Sequence, residues 1–374
     1  MSNAAPVTGS GPVGVGIIGA GNISTQYLDN LTTFPDVRVL FVADIDEDRA
    51  RAQADTYDIP GSGTVDALLA HPDIEIVVNL TIPAAHVEVA RLALAAGKNV
   101  WTEKPIALDR ESGKALLADA AAGGLRVATA PDTFLGAGLQ TGRRLIDEGR
   151  IGRPVAALAL FQVAGPESWH PNPDFLYAPG AGPLFDMGPY YLTTLVQNLG
   201  PVARVAATGS KSRATRVIAS GPRAGEEFPV HVPTHVSAML EFVSGATAQC
   251  VFSFQSALPR AKGLVEIAGT EGTIVFPDPN HFGGDLLVWS EGVAEPEKVE
   301  TVALGGRGTG VVELARAIRA GLPERASGEQ AYHVLDIMVS ISDSIESGQF
   351  VAVDSTVELS TPLPEQWDPR ASTL

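Results

Sequence analysis

Lys104, within Thr102-Glu103-Lys104-Pro105, and the pair Asp186 and Tyr190, within Gly180-Ala181-Gly182-Pro183-Leu184-Phe185-Asp186-Met187-Gly188-Pro189-Tyr190-Tyr191, are of types that can move a proton. A lysine that is partly desolvated and close to a cationic group has its pKa lowered towards the range of a working acid or base. A carboxylate and a phenol spaced by four face the same way on a helical turn, where they could hold substrate hydroxyls. Trp169 and His170 open the Pro-rich run that ends at Tyr177. Flat aromatic faces beside hydrogen-bonding groups suit a sugar-like ligand. Plainer roles stay open for each: a surface lysine before a turn, an Asp that caps a helix, aromatic groups that pack a long loop.

A different chemistry belongs to Gly19-Ala20-Gly21-Asn22-Ile23-Ser24, which follows the apolar run Val13 to Ile18 and precedes a segment, Asn22 to Leu31, that can be helical. In a dinucleotide-binding loop Gly19 permits the tight turn and Gly21 lets the backbone approach a pyrophosphate. Ser24 fills the third, helix-packing position, small but outside the G-x-G-x-x-G/A pattern. The N–H groups that open the helix would hold the phosphates. Val37 to Ala43 reads as the next strand and ends at Asp44, about where an acidic residue grips the adenosine ribose. Asp44 and Asp46 together would repel a 2′-phosphate, which favours NAD over NADP.

The elements that must position these groups fall into two patterns. From Val13 to about Pro131, β-rich runs alternate with helical segments, and Ile74 to Leu80 is apolar enough to be covered on both faces. Asn99 to Thr102 forms a strand that delivers Lys104 to its carboxyl end, the edge at which open α/β sheets bind ligands. Gly61-Ser62-Gly63 reads as a break. After a helix from Gly136 to Glu148 the chain turns to longer strands, among them Val155 to Val163, Thr234 to Val243 and Ala246 to Ser256. The expected fold is therefore α/β followed by α+β. Residues 1–12 form a loose tail, 13–133 a Rossmann domain with a parallel doubly wound sheet, and 134–374 a mainly antiparallel sheet domain with few covering helices.

Composition narrows the partners. Hydrophobic residues are 45% of the chain and charged ones 18%, and the formal net charge is -17. That balance argues against an extended nucleic-acid or anionic-membrane surface and for a small ligand. A single cysteine, Cys250, rules out an internal disulfide framework and a cysteine-based zinc cluster, and no metal is expected. The first residues lack the pattern of a signal peptide, so a reducing cytoplasm is the expected location.

In order and spacing these segments resemble the glucose-fructose oxidoreductase, inositol dehydrogenase and rhizopine-catabolism family, Gfo/Idh/MocA. The likeness rests on the Gly19 to Ser24 loop, Ile82-Pro83-Ala84-Ala85-His86, Ala95-Ala96-Gly97-Lys98, Glu103-Lys104-Pro105, Gly149-Arg150-Ile151-Gly152 and Asp186-x-Gly188-x-Tyr190. It implies a Rossmann domain joined to an open-faced sheet through which the chain forms a homodimer or homotetramer. It also implies a cofactor site of Gly19, Gly21, Asn22, Ile23, Asp44, Thr81, Pro83, His86, Glu103 and Lys104, with Lys104 the catalytic lysine of the Glu-Lys-Pro motif. The family's D-x-G-x-H falls on Asp186 and Tyr190, so the usual imidazole base is replaced by a phenol. The implied reaction is NAD-dependent oxidation of a secondary alcohol on a sugar or cyclic polyol, or its reverse. Tyr190 would exchange the hydroxyl proton beside Lys104, or Lys104 would do so itself, and Asp186 would bind a neighbouring hydroxyl. His170 is a substitute base. An NAD-dependent glycosidase and a non-catalytic dinucleotide sensor are the competing readings.

Overall fold

The computed structural model describes residues 9–257 and 262–374; most of the tail expected at 1–12 lies outside them. The chain divides into two compact units, one of 1–136, 303–332 and 360–374, the other of 137–302 and 333–359.

In the first unit six strands pair in parallel: β1 (Val13–Ile18), β2 (Val37–Ala43), β3 (Gly61–Gly63), β4 (Ile76–Asn79), β5 (Asn99–Thr102) and β6 (Val127–Thr129). Their order is β3-β2-β1-β4-β5-β6. Every residue of β1 and β4 is buried, which explains their near-continuous apolar sequence. Strand order reverses between β1 and β4, so a crevice opens outside their carboxyl ends. The connecting helices are α1 (Asn22–Leu31), α2 (Glu47–Thr56), α3 (Val65–Leu69), α4 (His86–Ala95) and α5 (Arg110–Gly123). The Gly61-Ser62-Gly63 break is in fact the edge strand β3, in register with Phe41, Val42 and Ala43.

The contiguous boundary expected at 133/134 is corrected by two returning segments. Helix α8 (Thr309–Ala320) packs on α1 and β6. It can do so because Gly310 lies against Trp101, whose ring would be 2.1 Å from a Cβ there. Buried Asp132 accepts from the N–H groups of Gly308 and Gly310 at 2.8 and 3.1 Å and so anchors the start of that helix. The C-terminal segment is held by Asp36, which accepts from Arg316 and from the N–H groups of Thr373 and Leu374. Arg316 also stacks over Trp367, 4.8 Å from the ring centre.

The second unit begins with α6 (Ala137–Asp147), β7 (Pro154–Gln162), α7 (Gly182–Leu199) and β8 (Val202–Ser210). A small ribbon of β9 (Thr215–Val217) and β10 (Glu227–Pro229) precedes β11 (His235–Phe242), β12 (Thr247–Ser253), β13 (Lys262–Gly269), β14 (Gly272–Phe276), β15 (Leu286–Ser290) and β16 (Glu297–Val299). From His333 onward α9 (Gly328–Ser347) and then β17 (Val351–Ala352) complete it. Nine strands form one sheet in the order β16-β15-β14-β13-β7-β12-β11-β8-β17. All its pairs are antiparallel except β7 with β12. Alternation is clean in β11, where Val236, Ala238, Leu240 and Phe242 are buried and Ser237 and Met239 face the other way. Helix α7 packs on β7, β11 and β12, and its 18 residues are almost all buried.

Candidate active site

The glycine loop leaves β1 exactly where the strand order reverses, and its two glycines do different work. Gly19 has φ +105° and a Cβ there would lie 2.7 Å from the main-chain carbonyl of Leu80, so no side chain fits. Around Gly21 there is open space, with nothing within 4 Å of a Cβ. Gly21 is also the N-cap of α1, which has no side-chain cap and no acid in its first turn. Ser24 is fully buried and its hydroxyl donates to Gly21 O at 2.6 Å, which is why the third loop position is small. An uncapped helix start behind an open backbone is a ready anion site.

Asp44 ends β2 buried beside this loop. Its carboxylate accepts from the Ala20 N–H at 2.7 Å and the Asp46 N–H at 2.9 Å. Asp46, not Asp44, caps α2 by accepting from the Arg49 N–H. The Arg49 guanidinium lies 3.8 Å from Asp44 and 3.1 Å from Asp46, offsetting part of their charge.

Across the crevice, Asn79 at the end of β4 accepts from the N–H and hydroxyl of Thr81 and donates to His86 O. Pro83 opens a short 3₁₀ turn that leads into α4. The His86 side chain is fully buried, Nδ1 at 2.8 Å from Pro105 O and Nε2 at 3.0 Å from Thr81 O. Burial holds its pKa below the ordinary histidine value. The neutral ring donates to one of these carbonyls and lies between the Thr81 loop and the segment just after Lys104. Lys104 itself is half-buried at the end of β5. Its N–H donates to Glu103 at 3.0 Å, and the other oxygen of Glu103 accepts from the Tyr27 hydroxyl at 2.8 Å. The first unit thus brings Gly19, Gly21, Asn22, Ile23, Asp44, Thr81, Pro83, His86, Glu103 and Lys104 to one sheet edge.

Asp186, Tyr190, Trp169 and His170 belong to the second unit. Helix α7 starts at Gly182, so Asp186 sits inside it and is not its cap. Asp186 is half-buried and Tyr190 is 6% exposed. Trp169 is 67% exposed, and His170 meets its ring and that of Phe175 edge-on at 5.4 and 5.5 Å. His170 Nδ1 accepts from the Asn172 N–H, which leaves Nε2 to carry the proton in the neutral ring. The loop is pinned from behind. Buried Arg216 pairs with Glu167, which also accepts from the Tyr177 hydroxyl, and Arg223 grips Asp174 with two bonds of 2.8 and 3.1 Å.

The stretch 13–130 matches the oxidoreductase family with an NAD-binding Rossmann fold, and 139–275 matches the GFO/IDH/MocA C-terminal domain. The chain belongs to the Gfo/Idh/MocA oxidoreductase family. It is 28% identical over 267 residues to a 1,5-anhydro-D-fructose reductase of Ensifer adhaerens, a span of 70% of this chain and 74% of that one. It is 30% identical over 279 residues to a trans-1,2-dihydrobenzene-1,2-diol dehydrogenase of Macaca fascicularis, covering 74% and 78%. In fold it is similar to a levoglucosan dehydrogenase solved with NADH and L-sorbose, with a TM-score of 0.81, 22% identity, and coverage of 92% of this chain and 100% of that one.

Several residues of this Gfo/Idh/MocA chain escape a reading of its motifs. Tyr27 bonds both Glu103 and Trp101, and the charges of Asp132 and Arg307 act on the same phenol. Burial raises the Asp132 carboxyl to about 6, against the opposing pull of Arg307 and two glycine N–H groups. The one signal available was an aromatic residue on the buried face of α1, which by itself reads as core. Among the described residues no helix is long and apolar enough to cross a membrane, and no three His, Cys, Asp or Glu side chains gather as metal ligands.

Proposed function

We propose that this oxidoreductase moves a hydride between a secondary alcohol of a sugar or cyclic polyol and a nicotinamide dinucleotide, with NAD preferred over NADP. The observation that carries it is the uncapped start of α1 behind Gly19 and the open Gly21, with Asp44 beside it. Those residues fit a pyrophosphate and a ribose. Support for the substrate class comes from the relatives, whose names place them on an anhydrofructose, a dihydrodiol and levoglucosan.

Bound there, the nicotinamide supplies the hydride acceptor or donor. Asn22 and Ile23 open the helix that faces the phosphates, Asp44 takes the ribose hydroxyls, and the Thr81 and Pro83 turn with His86 and Glu103 shapes the rest of the edge. Lys104 belongs to the catalytic machinery, and Tyr190 exchanges the hydroxyl proton, with Asp186 binding a neighbouring hydroxyl. Trp169 and His170 offer a face for the sugar ring. The preference for NAD rests on two carboxylates against one guanidinium, so it is a bias and not an exclusion. The outward face of the nine-stranded sheet, with Leu158, Leu160 and Val251 half-exposed, is our assignment for homodimer or homotetramer formation. Burial pushes the Cys250 thiol up to about 12, so the lone thiol is inert, and the cytoplasm is our assigned location.

A screen of free sugars, anhydro sugars, inositols, diols and aryl glycosides, read for NAD+ reduction and for aglycone release, tests this reading. Steady NADH formation with one of them is the expected result. Release of an aglycone without net NADH would replace it with the glycosidase, and NAD binding without any turnover with the sensor.

A further inference from the structure

The carboxyl end of β5 is tied to α1 by a chain of hydrogen bonds inside the first unit. The Trp101 indole N–H donates to the Tyr27 hydroxyl at 3.1 Å, and that hydroxyl donates to Glu103 Oε1 at 2.8 Å. Glu103 Oε2 accepts from the Lys104 N–H at 3.0 Å. Tyr27 and Trp101 are fully buried and Glu103 is 8% exposed. Direction along the chain follows from the groups: an indole only donates, an ionised carboxylate only accepts, and a phenol can do both at once. Burial, and then the charges of Glu103 and Asp132, push the Tyr27 phenol well above its ordinary pKa, so it stays a donor.

Each oxygen of Glu103 therefore has its own assignment, one to α1 and one to the main chain of Lys104. The carboxylate is held at both ends, and with it the peptide plane from which the lysine departs. The same helix α1 begins at Gly21, on the cofactor loop.

We propose that Tyr27 is a positioning residue: through Glu103 it sets the direction in which Lys104 leaves β5 and keys it to the helix that opens on the phosphate site. This rests on the reading that puts Lys104 in the catalytic machinery. A displacement of about 1 Å at a catalytic group can cost roughly 100-fold in rate, so a hydroxyl that touches no substrate can matter to turnover.

The test is Tyr27→Phe, which keeps the ring and removes the only donor it offers Glu103. Single-turnover hydride transfer should fall about 10- to 100-fold, while NAD+ affinity, read by titration, changes less than about threefold. A second readout needs no activity. The chain has six lysines, so selective ¹⁵N-lysine labelling gives at most that many amide signals, and Lys104→Arg identifies the one of interest. Bonded to a carboxylate, the Lys104 amide proton should move upfield in Tyr27→Phe, with the others in place. Glu103→Gln is the companion variant. It keeps the shape and the acceptor for Tyr27, sets an NH₂ against the Lys104 N–H, and should show the same loss if Tyr27→Phe does not fold. A folded Tyr27→Phe with wild-type hydride transfer and an unmoved Lys104 signal overturns the proposal while leaving the Lys104 reading intact. Full activity in Lys104→Ala overturns both, since no catalytic group would remain to be positioned.

Discussion

Asp44 accepts a hydrogen bond from the backbone N–H of Ala20 at 2.7 Å and so ties the end of one strand to the turn that leaves another. The residue expected to bind ribose also builds the loop expected to bind pyrophosphate. Asp44→Ala should therefore lower stability by about 1–3 kcal/mol, because a buried N–H loses its acceptor, and weaken NAD together with it. Asp46→Asn separates the two effects: it leaves Asp44 in place, can still cap α2 and removes one charge from Arg49, so acceptance of NADP should rise relative to NAD. Isothermal titration of both cofactors checks this, and an unchanged ratio would remove Asp46 and Arg49 from discrimination.

The two loop glycines make opposite predictions for the protein without cofactor. Gly19→Ala places a Cβ against Leu80 at positive φ and should destabilise the fold by several kcal/mol, roughly the sum of a steric clash and a strained backbone. Gly21→Ala meets nothing and its φ of -77° is ordinary, so the melting temperature should hold within about 2 °C. Its cofactor affinity should nonetheless fall at least about tenfold, because the methyl fills the approach to the pyrophosphate. Equal NAD binding by Gly21→Ala and wild type would contradict the loop's role.

Lys104→Ala should abolish hydride transfer and leave NAD binding within about threefold of wild type. Tyr190→Phe distinguishes proton transfer from packing. A proton-transfer role predicts a loss of about 100-fold or more in turnover with little change in substrate affinity. Stopped-flow measurement of NADH formation reads both, and normal turnover in Tyr190→Phe would return the proton to Lys104.

A pH dependence of stability follows from two buried groups with opposite signs. His333 Nε2 accepts from the Val202 N–H at 3.0 Å, and burial pushes its pKa down to about 4 from an ordinary value near 6.5. The stability it contributes is present above that ordinary value and is lost as pH falls towards 4, about 3 kcal/mol in all. Asp132, raised to about 6, acts the other way: its contribution is lost as pH rises from its ordinary carboxylate range through 6. His333→Gln, which can still accept from Val202, should flatten the acid-side loss, whereas Asp132→Asn should steepen it. Urea unfolding at a series of pH values between 4 and 7 measures both slopes. Parallel curves for all three proteins would show that neither group titrates as assigned.

The glycine loop and Asp44 were legible because a strand, a sharp turn and a helix are contiguous, and each part leaves a local mark in composition. Lys104 was legible for a similar reason, standing at the end of a short buried strand. Helix α7 left a weaker mark. The spacing of Asp186 and Tyr190 suggested only one helical turn, yet the segment is helical for 18 residues, through Pro189, because burial against β7, β11 and β12 outweighs the propensity cost of the proline.

By itself the sequence determined which residues face a core, where strands turn into helices, and which side chains end a strand with chemistry to offer. Periodicity reports that a face is buried, but not what covers it. The return of 303–332 and 360–374 to the first unit brings Arg316 and Thr373 onto Asp36, the latter 337 positions away. The hold of Tyr27 on Glu103 spans 76 positions. Pairings at such separations leave no trace in local composition, because their energy exists only when two distant segments have both been folded into contact. Tertiary structure alone decided them, and with them how the end of β5 is held.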